Sequence, residues 1–450
     1  MKKKHFLFFT SAMFLFDCNA VTFEEAVIGA YNNNKKWLSA QIEKKIQDEK
    51  LISKKMTFLP SIEGQLRTSR TKSEISKTEG NPTTQEKVHS RDSSKQTNTE
   101  LVLNVKQNLF NGFSTINSTR AQENRTNAAF HGLKQYEQEK LIAEVLKAYL
   151  GVWISLQKVT AYREKENNLH KSLEAMKNML LAGTKTRAQV AEMNANYQKA
   201  IYERIAAETE LSTEKSEFEK LTGIKAENNF KLPDLNFEMP ENAEKLIAIA
   251  MSKNHSILNS RFTEDAAQNE LNSARGALSP SCDLAVSAAR SLKKQRYNNS
   301  QNEYTASLNV TIPIFHNDGS NGNSYSAIKM ADQTALKAKI DKEDTILDIK
   351  KQCIDNWNKS VSAEAQIKAS REGVRSAELT SESNQEESIM GTKSSTEILS
   401  AENNLLDTRI DYAKARAQKV LACYGILVLC GAGDLNSLLC KNHRPKRRGK

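Results

Sequence analysis

Helix and strand breakers are scarce in this sequence. Its 450 residues include 17 Gly and 7 Pro, well below average usages of about 7% and 5%. That scarcity excludes a chain of many short strands and tight turns. It leaves long uninterrupted elements, and with 6% aromatics these are expected to be long helices. Hydrophobic residues make up 38%, below the usual share of about 45–50%, so a single thick core is excluded as well. Narrow apolar seams between helices whose other faces stay wet fit better. No run of about 18 apolar residues occurs, so no helix spans a bilayer.

Patterns that carry chemistry are also missing. The sequence has no phosphate-cradling Gly loop, no HExxH, no GxSxG and no CxxC, and its 7 His are scattered without ligand spacing. No enzyme activity, metal centre or cofactor is expected. The net charge of +11, from 65 Lys+Arg and 54 Asp+Glu, is small for the length and spread along the chain. A nucleic-acid binder concentrates its charge on one face, so no such partner is expected.

The N-terminus has three parts: Lys2, Lys3 and Lys4; an apolar run from Phe6 to Phe16; and Cys18 and Ala20 at the −3 and −1 positions of a cleavage site. This is the layout of a secretory signal peptide over residues 1–20. Lipidation at Cys18 is disfavoured, because Leu15, Phe16 and Asp17 precede it instead of small residues. Cleavage leaves Cys282, Cys353, Cys423, Cys430 and Cys440. The number is odd, so at least one thiol stays unpaired, and these residues read as small buried side chains.

The mature chain is written twice. Ala30 and Ala250, Asn34 and Asn254, and Pro60 and Pro280 each lie 220 residues apart in similar surroundings. Leu103-Asn104-Val105 matches Leu308-Asn309-Val310 at an offset of 205, and Phe110 matches Phe315. Gly183-Thr184-Lys185 matches Gly391-Thr392-Lys393 at 208, as Gly223 matches Gly431. The expected organisation is a first repeat over 21–232, a second over 233–435, and a basic tail over 436–450. The residues absent from the second copy fall in the polar stretch Thr71 to Thr99, which composition predicts to be a loop.

Within each copy the periods alternate between helix and strand. Thr22 to Phe58 carries a 3.6-residue apolar series and reads as one helix ended by Pro60. Period-two alternation predicts strands over 62–70, 101–110, 283–290 and 304–314, the last with Tyr304, Ala306, Leu308, Val310, Ile312 and Ile314 on one face. That length suits a membrane β-strand, although a hairpin in a soluble sandwich has the same pattern. From Thr115 to Ala182 no Pro occurs, and Leu141, Val145, Tyr149, Val152, Leu156 and Val159 keep coiled-coil spacing. A helix of this length spans about 100 Å. Gly183 ends it, and Gly391 ends its counterpart in the second copy.

The fold class predicted is therefore mainly α: a duplicated unit with a long helical coiled-coil section and four strands per chain. Four strands cannot close a barrel, and open edges do not survive in lipid. Three chains would supply twelve strands, an even number within the range of outer-membrane barrels.

Several local motifs carry a specific resemblance. They are Phe23-Glu24-Glu25-Ala26 running to Asn34, Leu59-Pro60-Ser61, Gln107-Asn108-Leu109-Phe110-Asn111-Gly112 with its echo Ile312-Pro313-Ile314-Phe315, and Gly391-Thr392-Lys393 leading into Glu397-Ile398-Leu399. In this order, and with the duplication, the chain resembles the TolC family of outer-membrane efflux and secretion proteins. The resemblance implies a homotrimer in outer-membrane lipid, with a helical tunnel in the periplasm. It also implies docking to a periplasmic adaptor and to an inner-membrane pump or ABC transporter. It makes the helix turns at Gly183, Thr184, Gly391 and Thr392 the adaptor contact, and Lys393 and Glu397 the pore gate. Ser400, Ser388 and Gln189 depart from the acidic and aromatic residues that the family often places near this end. The competing reading is a periplasmic coiled-coil adaptor or structural spacer.

Overall fold

The computed structural model describes residues 21–80, 87–235, 239–294, 298–313, 324–390 and 392–434. The expected signal peptide, the basic tail, Phe315 and Gly391 lie outside them. The chain divides into two compact units. One combines residues up to Ile42 with His131–Leu258 and the chain from Asp344 onward; the other combines Glu43–Phe130 with Asn259–Glu343.

The elements run in two parallel series. The first is α1 (Phe23–Asn33), α2 (Lys35–Met56), β1 (Ser61–Gly80), β2 (Lys87–Asn111), α3 (Ser114–Tyr136), a π-helical segment (Glu137–Ile142), α4 (Ala143–Leu181) and α5 (Arg187–Thr222). The second is α6 (Ala243–Lys253), α7 (His255–Gly276), β3 (Ser281–Lys294), β4 (Asn298–Thr311), α8 (Ser324–Ile389) and α9 (Ser395–Leu429). α8 has 66 residues, or about 100 Å at 1.5 Å per residue.

The helix expected over 22–58 is in fact two. Asn34 takes extended backbone (φ −75°, ψ 111°) between α1 and α2, and Asn254 does the same (φ −65°, ψ 129°) between α6 and α7. The apolar period continues through both positions, so the break left no mark in the pattern.

The core of the first unit is built on the predicted stripe. Leu141, Val145, Tyr149, Val152 and Val159 are buried and pack with Phe23 and Val27 of α1 and Phe218 of α5. The Tyr149 ring meets Phe23 edge-on, and its hydroxyl lies 2.9 Å from the carbonyl oxygens of both Val21 and Lys231, which share its one proton. A buried tyrosine needs such partners for its polar end. The π-helical segment Glu137–Ile142 interrupts the regular helix at the start of this stripe, and Gln138 O lies within it. Tyr424 of α9 donates to that carbonyl, Gln138 O, at 2.8 Å.

In the second unit the four strands form one antiparallel sheet in the order β1-β2-β3-β4. The polar stretch 71–99 is not a loop throughout. The ladder continues from Thr71↔Gln96 to Gly80↔Lys87, because backbone pairing needs no apolar alternation and composition alone misled. At its other end β4 stops at Thr311, short of the expected 314.

Candidate functional site

Two regions hold the functional candidates. The first is the sheet, where register decides which side chains share a face. Cross-strand partners lie on the same side of a sheet. Ile62 pairs with Val105, Val105 with Val286, and Val286 with Ala306. Gly64, Leu103, Ala288 and Tyr304 form the next row of that face, and Leu284 with Leu308 and Cys282 with Val310 extend it. The opposite face carries Glu63, Asn104, Ser287 and Thr305 in register. On that polar face Asn108 Nδ2 donates to Asp283 Oδ1 at 2.9 Å, and Lys106 Nζ lies 3.8 Å from Asp283. The apolar face is bare: Ile62, Leu66, Leu101, Leu103, Leu308 and Val310 are 48–73% exposed. A contiguous apolar sheet face of this kind marks contact with lipid or a partner.

The second region is the pair of helix turns in the first unit. Gly183 follows α4 with φ +75°, the left-handed conformation that Gly adopts without penalty. Thr184 then folds back: its N–H and Oγ1 donate to Met179 O at 2.9 and 3.0 Å. The other turn repeats the construction, with Thr392 N–H and Oγ1 donating to Glu387 O at 3.0 and 2.8 Å. Both pairs stand 208 apart. Leu181 and Met390, beside the turns, are 87% and 77% exposed.

Each following helix opens with a capping box, in which the cap side chain and the third helical residue satisfy each other's backbone amides. Thr186 and Gln189 form it for α5; Ser394 and Glu397 form it for α9. The S-x-x-E spacing was a readable signal for this, and the sequence reading passed over it. Glu397 Oε2 accepts from Ser394 N–H at 3.0 Å and from Ser394 Oγ at 2.8 Å. Lys393 Nζ donates to Glu397 Oε1 at 3.4 Å and lies 3.7 Å from Glu387 Oε2. The Ser394 backbone and hydroxyl, with Lys393, hold the Glu397 carboxyl below the usual carboxylate range. The structure thus brings Lys393 and Glu397 together and gives Glu397 a local structural task besides any in the pore. Ser400 is exposed on α9, and the side chain of Ser388 lies outside the described residues.

No helix among the described residues is long and apolar enough to cross a membrane. No group of three or more metal-ligating side chains occurs among them. Cys353 and Cys430 are buried in one apolar cluster, and burial pushes the Cys353 thiol up to about 11, as expected of packing residues; Cys282 and Cys423 are only half-buried, against that expectation, and Cys440 lies outside the described residues.

The model of the outer membrane efflux protein family matches residues 30–224 and 246–432. The chain belongs to that family. It is 26% identical to the outer membrane efflux protein BepC of Brucella suis over 441 residues, covering 95% of this chain and 90% of BepC. It is 22% identical to the alkaline protease secretion protein AprF of Pseudomonas aeruginosa, covering 74% and 69%. Among solved structures, the channel CusC superposes with a TM-score of 0.75 at 17% identity, covering 93% of this chain and 95% of CusC. As a member of the family, the chain is an outer-membrane channel protein of TolC-like fold with its helical part in the periplasm. It is an exit duct for export machinery.

Proposed function

We propose that three copies of the chain close a twelve-stranded barrel, and that the resulting duct serves an efflux pump through a periplasmic adaptor. The observation that carries this reading is the open sheet. β1 and β4 are its outer strands, each with one edge unpaired within the sheet, and its apolar face stands bare. In lipid each unpaired backbone group costs several kcal/mol. Pairing β4 of one copy with β1 of the next satisfies both edges and turns the apolar rows outward. Heat-modifiable migration of a trimer purified from outer membranes tests this; a monomer that runs identically before and after boiling overturns it.

The turns at Gly183-Thr184 and Thr392, with Gly391 beside the latter, are the proposed adaptor contact. Exposed Leu181 and Met390 support it, since each offers a large apolar side chain beside a rigidly tied turn. The partner is a membrane-fusion adaptor linked to an inner-membrane pump. Lys393 and Glu397 shape the pore gate: in a trimer Glu397 is repeated three times about the axis as an acidic ring. Efflux is preferred to protein secretion because the match to BepC spans nearly the whole chain. The similarity to AprF keeps type I secretion as the second reading. Site-specific cross-linking from Thr184 and Thr392 separates the two by the inner-membrane component recovered with the adaptor.

A further inference from the structure

Two buried side-chain polar atoms among the described residues have no hydrogen-bond partner: Trp37 Nε1 and Gln138 Nε2. Leaving a buried donor unpaired is costly, so each calls for a reason. Trp37 sits among rings, with Tyr31 edge-on and Tyr136 stacked on it. Gln138 is 1% exposed, and its backbone carbonyl is already taken by Tyr424. It lines a cleft of about 930 Å³ within the first unit.

Three segments form this cleft: the π-helical turn running into α4, the middle of α8, and the last turns of α9. Its apolar part comes from α9, where Ala422, Val428 and Leu429 are buried. Six carboxamides stand around it: Gln138, Gln352, Asn356, Asn358, Gln366 and Gln418. α8 comes close to α9 here, since a Cβ on Gly425 would meet Asn356 Oδ1 at 2.6 Å. Lys147 and Lys359 also line the cleft, and neither makes an ion pair among the described residues. Glu139 is its carboxylate, and it is occupied: it accepts from Gln135 Nε2 at 3.0 Å and from Ser256 Oγ at 3.4 Å. Ligand pockets span about 300–1,000 Å³, so the space suits one small organic molecule. Gln138 Nε2 and the two ammonium groups are all donors, and two of the three are cationic. They match a ligand with a negatively charged acceptor at one end, and the α9 surface matches a hydrocarbon body.

We propose that this cleft binds an anionic amphiphile, a small organic molecule with a carboxylate or sulfonate head and a hydrocarbon body. The head accepts a hydrogen bond from Gln138, with Lys147 and Lys359 supplying the opposing charge, and the body covers Ala422, Val428 and Leu429. Water in the cleft also satisfies Gln138, but it leaves the unpaired cations and the apolar surface beside them without a use. In an efflux duct the site gives the chain a solute preference of its own. That last step rests on the efflux reading; the binding does not.

Calorimetric titration of naphthalene-2-sulfonate into the purified protein in lipid nanodiscs, with empty nanodiscs as the blank, tests the site. Saturable binding at one site per chain is expected, with the uncharged naphthalene-2-sulfonamide at least tenfold weaker. Lys147→Gln combined with Lys359→Gln should weaken sulfonate binding at least tenfold and flatten its salt dependence. Gln138→Leu separates a ligand contact from a structural role. It removes a donor that has no partner in the fold, so the unfolding temperature should hold or rise, while sulfonate affinity falls about fivefold or more. A merely structural Gln138 gives the reverse, lower stability with unchanged binding. No saturable heat above the blank, or equal affinity in wild type and both variants, overturns the proposal. If Gln138→Leu does not assemble, the double lysine variant decides alone. The titration contains no pump or adaptor, so its failure leaves the efflux reading standing. Unchanged drug sensitivity in cells that lack the chain removes efflux and leaves this binding untouched.

Discussion

Asn34 and Asn254 hold the same post in the two halves of the chain. Each ends one helix in extended backbone and turns its carboxamide oxygen onto the amides that begin the next. Asn34 Oδ1 accepts from the N–H groups of Lys36 and Trp37 at 3.0 and 3.1 Å. Asn254 Oδ1 accepts from Ser256 and Ile257 at 2.9 and 3.3 Å. The constant offset between these residues is therefore a record of shared cap geometry as well as of shared ancestry.

Asn34→Ala should destabilise the protein by about 0.5–2 kcal/mol, the usual worth of a lost N-cap. Asn34→Asp, whose carboxylate accepts the same two bonds, should retain wild-type stability. Thermal unfolding of the purified protein checks both. Equal midpoints for Asn34→Ala and wild type would show that the cap carries no net stability here.

Much of this architecture was readable in advance. Tyr149, Val152 and Val159 were recognisable as seam residues because burial on a helix imposes its own period. The strand faces were readable where lipid-type alternation marks them, at Leu103 and Leu308. Other features left no such trace. The π-helical segment has ordinary helix-forming residues, and the ladder from Thr71 to Gly80 is held by backbone groups that every sequence supplies. Glu402, buried on α9, lay between the two cases. It stands four residues after Ile398 on the buried side of α9, where a charge is out of place, and that misplacement was a usable signal. Its donors, Asn168, Ser381 and Gln385, come from distant stretches that only the fold joins.

The register separates the two faces of β4 residue by residue. Leu308→Arg places a charge on the apolar face and should cost about 2–4 kcal/mol if it lies at the bilayer midplane. Ser307→Arg, one residue earlier on the polar face opposite Ala285, should assemble normally. The amounts of heat-modifiable trimer recovered from outer membranes compare them. Equal recovery of the two variants would remove Leu308 from the lipid face.

Gly183 offers a clean separation of backbone strain from crowding. A Cβ built there meets nothing within 4 Å, yet φ is +75°. Gly183→Ala should therefore cost only the left-handed penalty of about 1–2 kcal/mol and leave the helices packed. Gly183→Val, whose branched side chain resists this conformation more strongly, should reshape the turn and abolish adaptor cross-linking while the trimer still reaches the membrane. Undiminished cross-linking in Gly183→Val would detach adaptor binding from this turn.

Glu397 poses the sharpest question, because its carboxylate serves two ends. It caps α9 through Ser394, and it is the proposed acidic ring. The first copy supplies the control: Gln189, at the equivalent position, closes the same capping box with an amide, accepting from Thr186 N–H at 3.0 Å. Glu397→Gln should therefore keep the helix start and remove only the charge. Planar-bilayer measurements should then show reduced cation selectivity with unchanged trimer stability. The pH dependence follows from the same contacts. Ser394 and Lys393 hold the carboxyl below its ordinary value, so the charged form, and the stability its pairing contributes, is complete above the ordinary carboxylate pKa of about 4.3. As pH falls below that value the unfolded chain takes up the proton first, so the stability declines from there and is gone once pH has passed the depressed folded-state pKa, while the folded carboxylate keeps its charge down to that lower pKa. Wild-type cation selectivity should thus survive into more acidic solution than an ordinary exposed Glu permits, and Lys393→Ser should move its loss toward higher pH. Selectivity that is the same in wild type and Glu397→Gln at neutral pH would leave Glu397 as a helix cap and place the charge filter elsewhere.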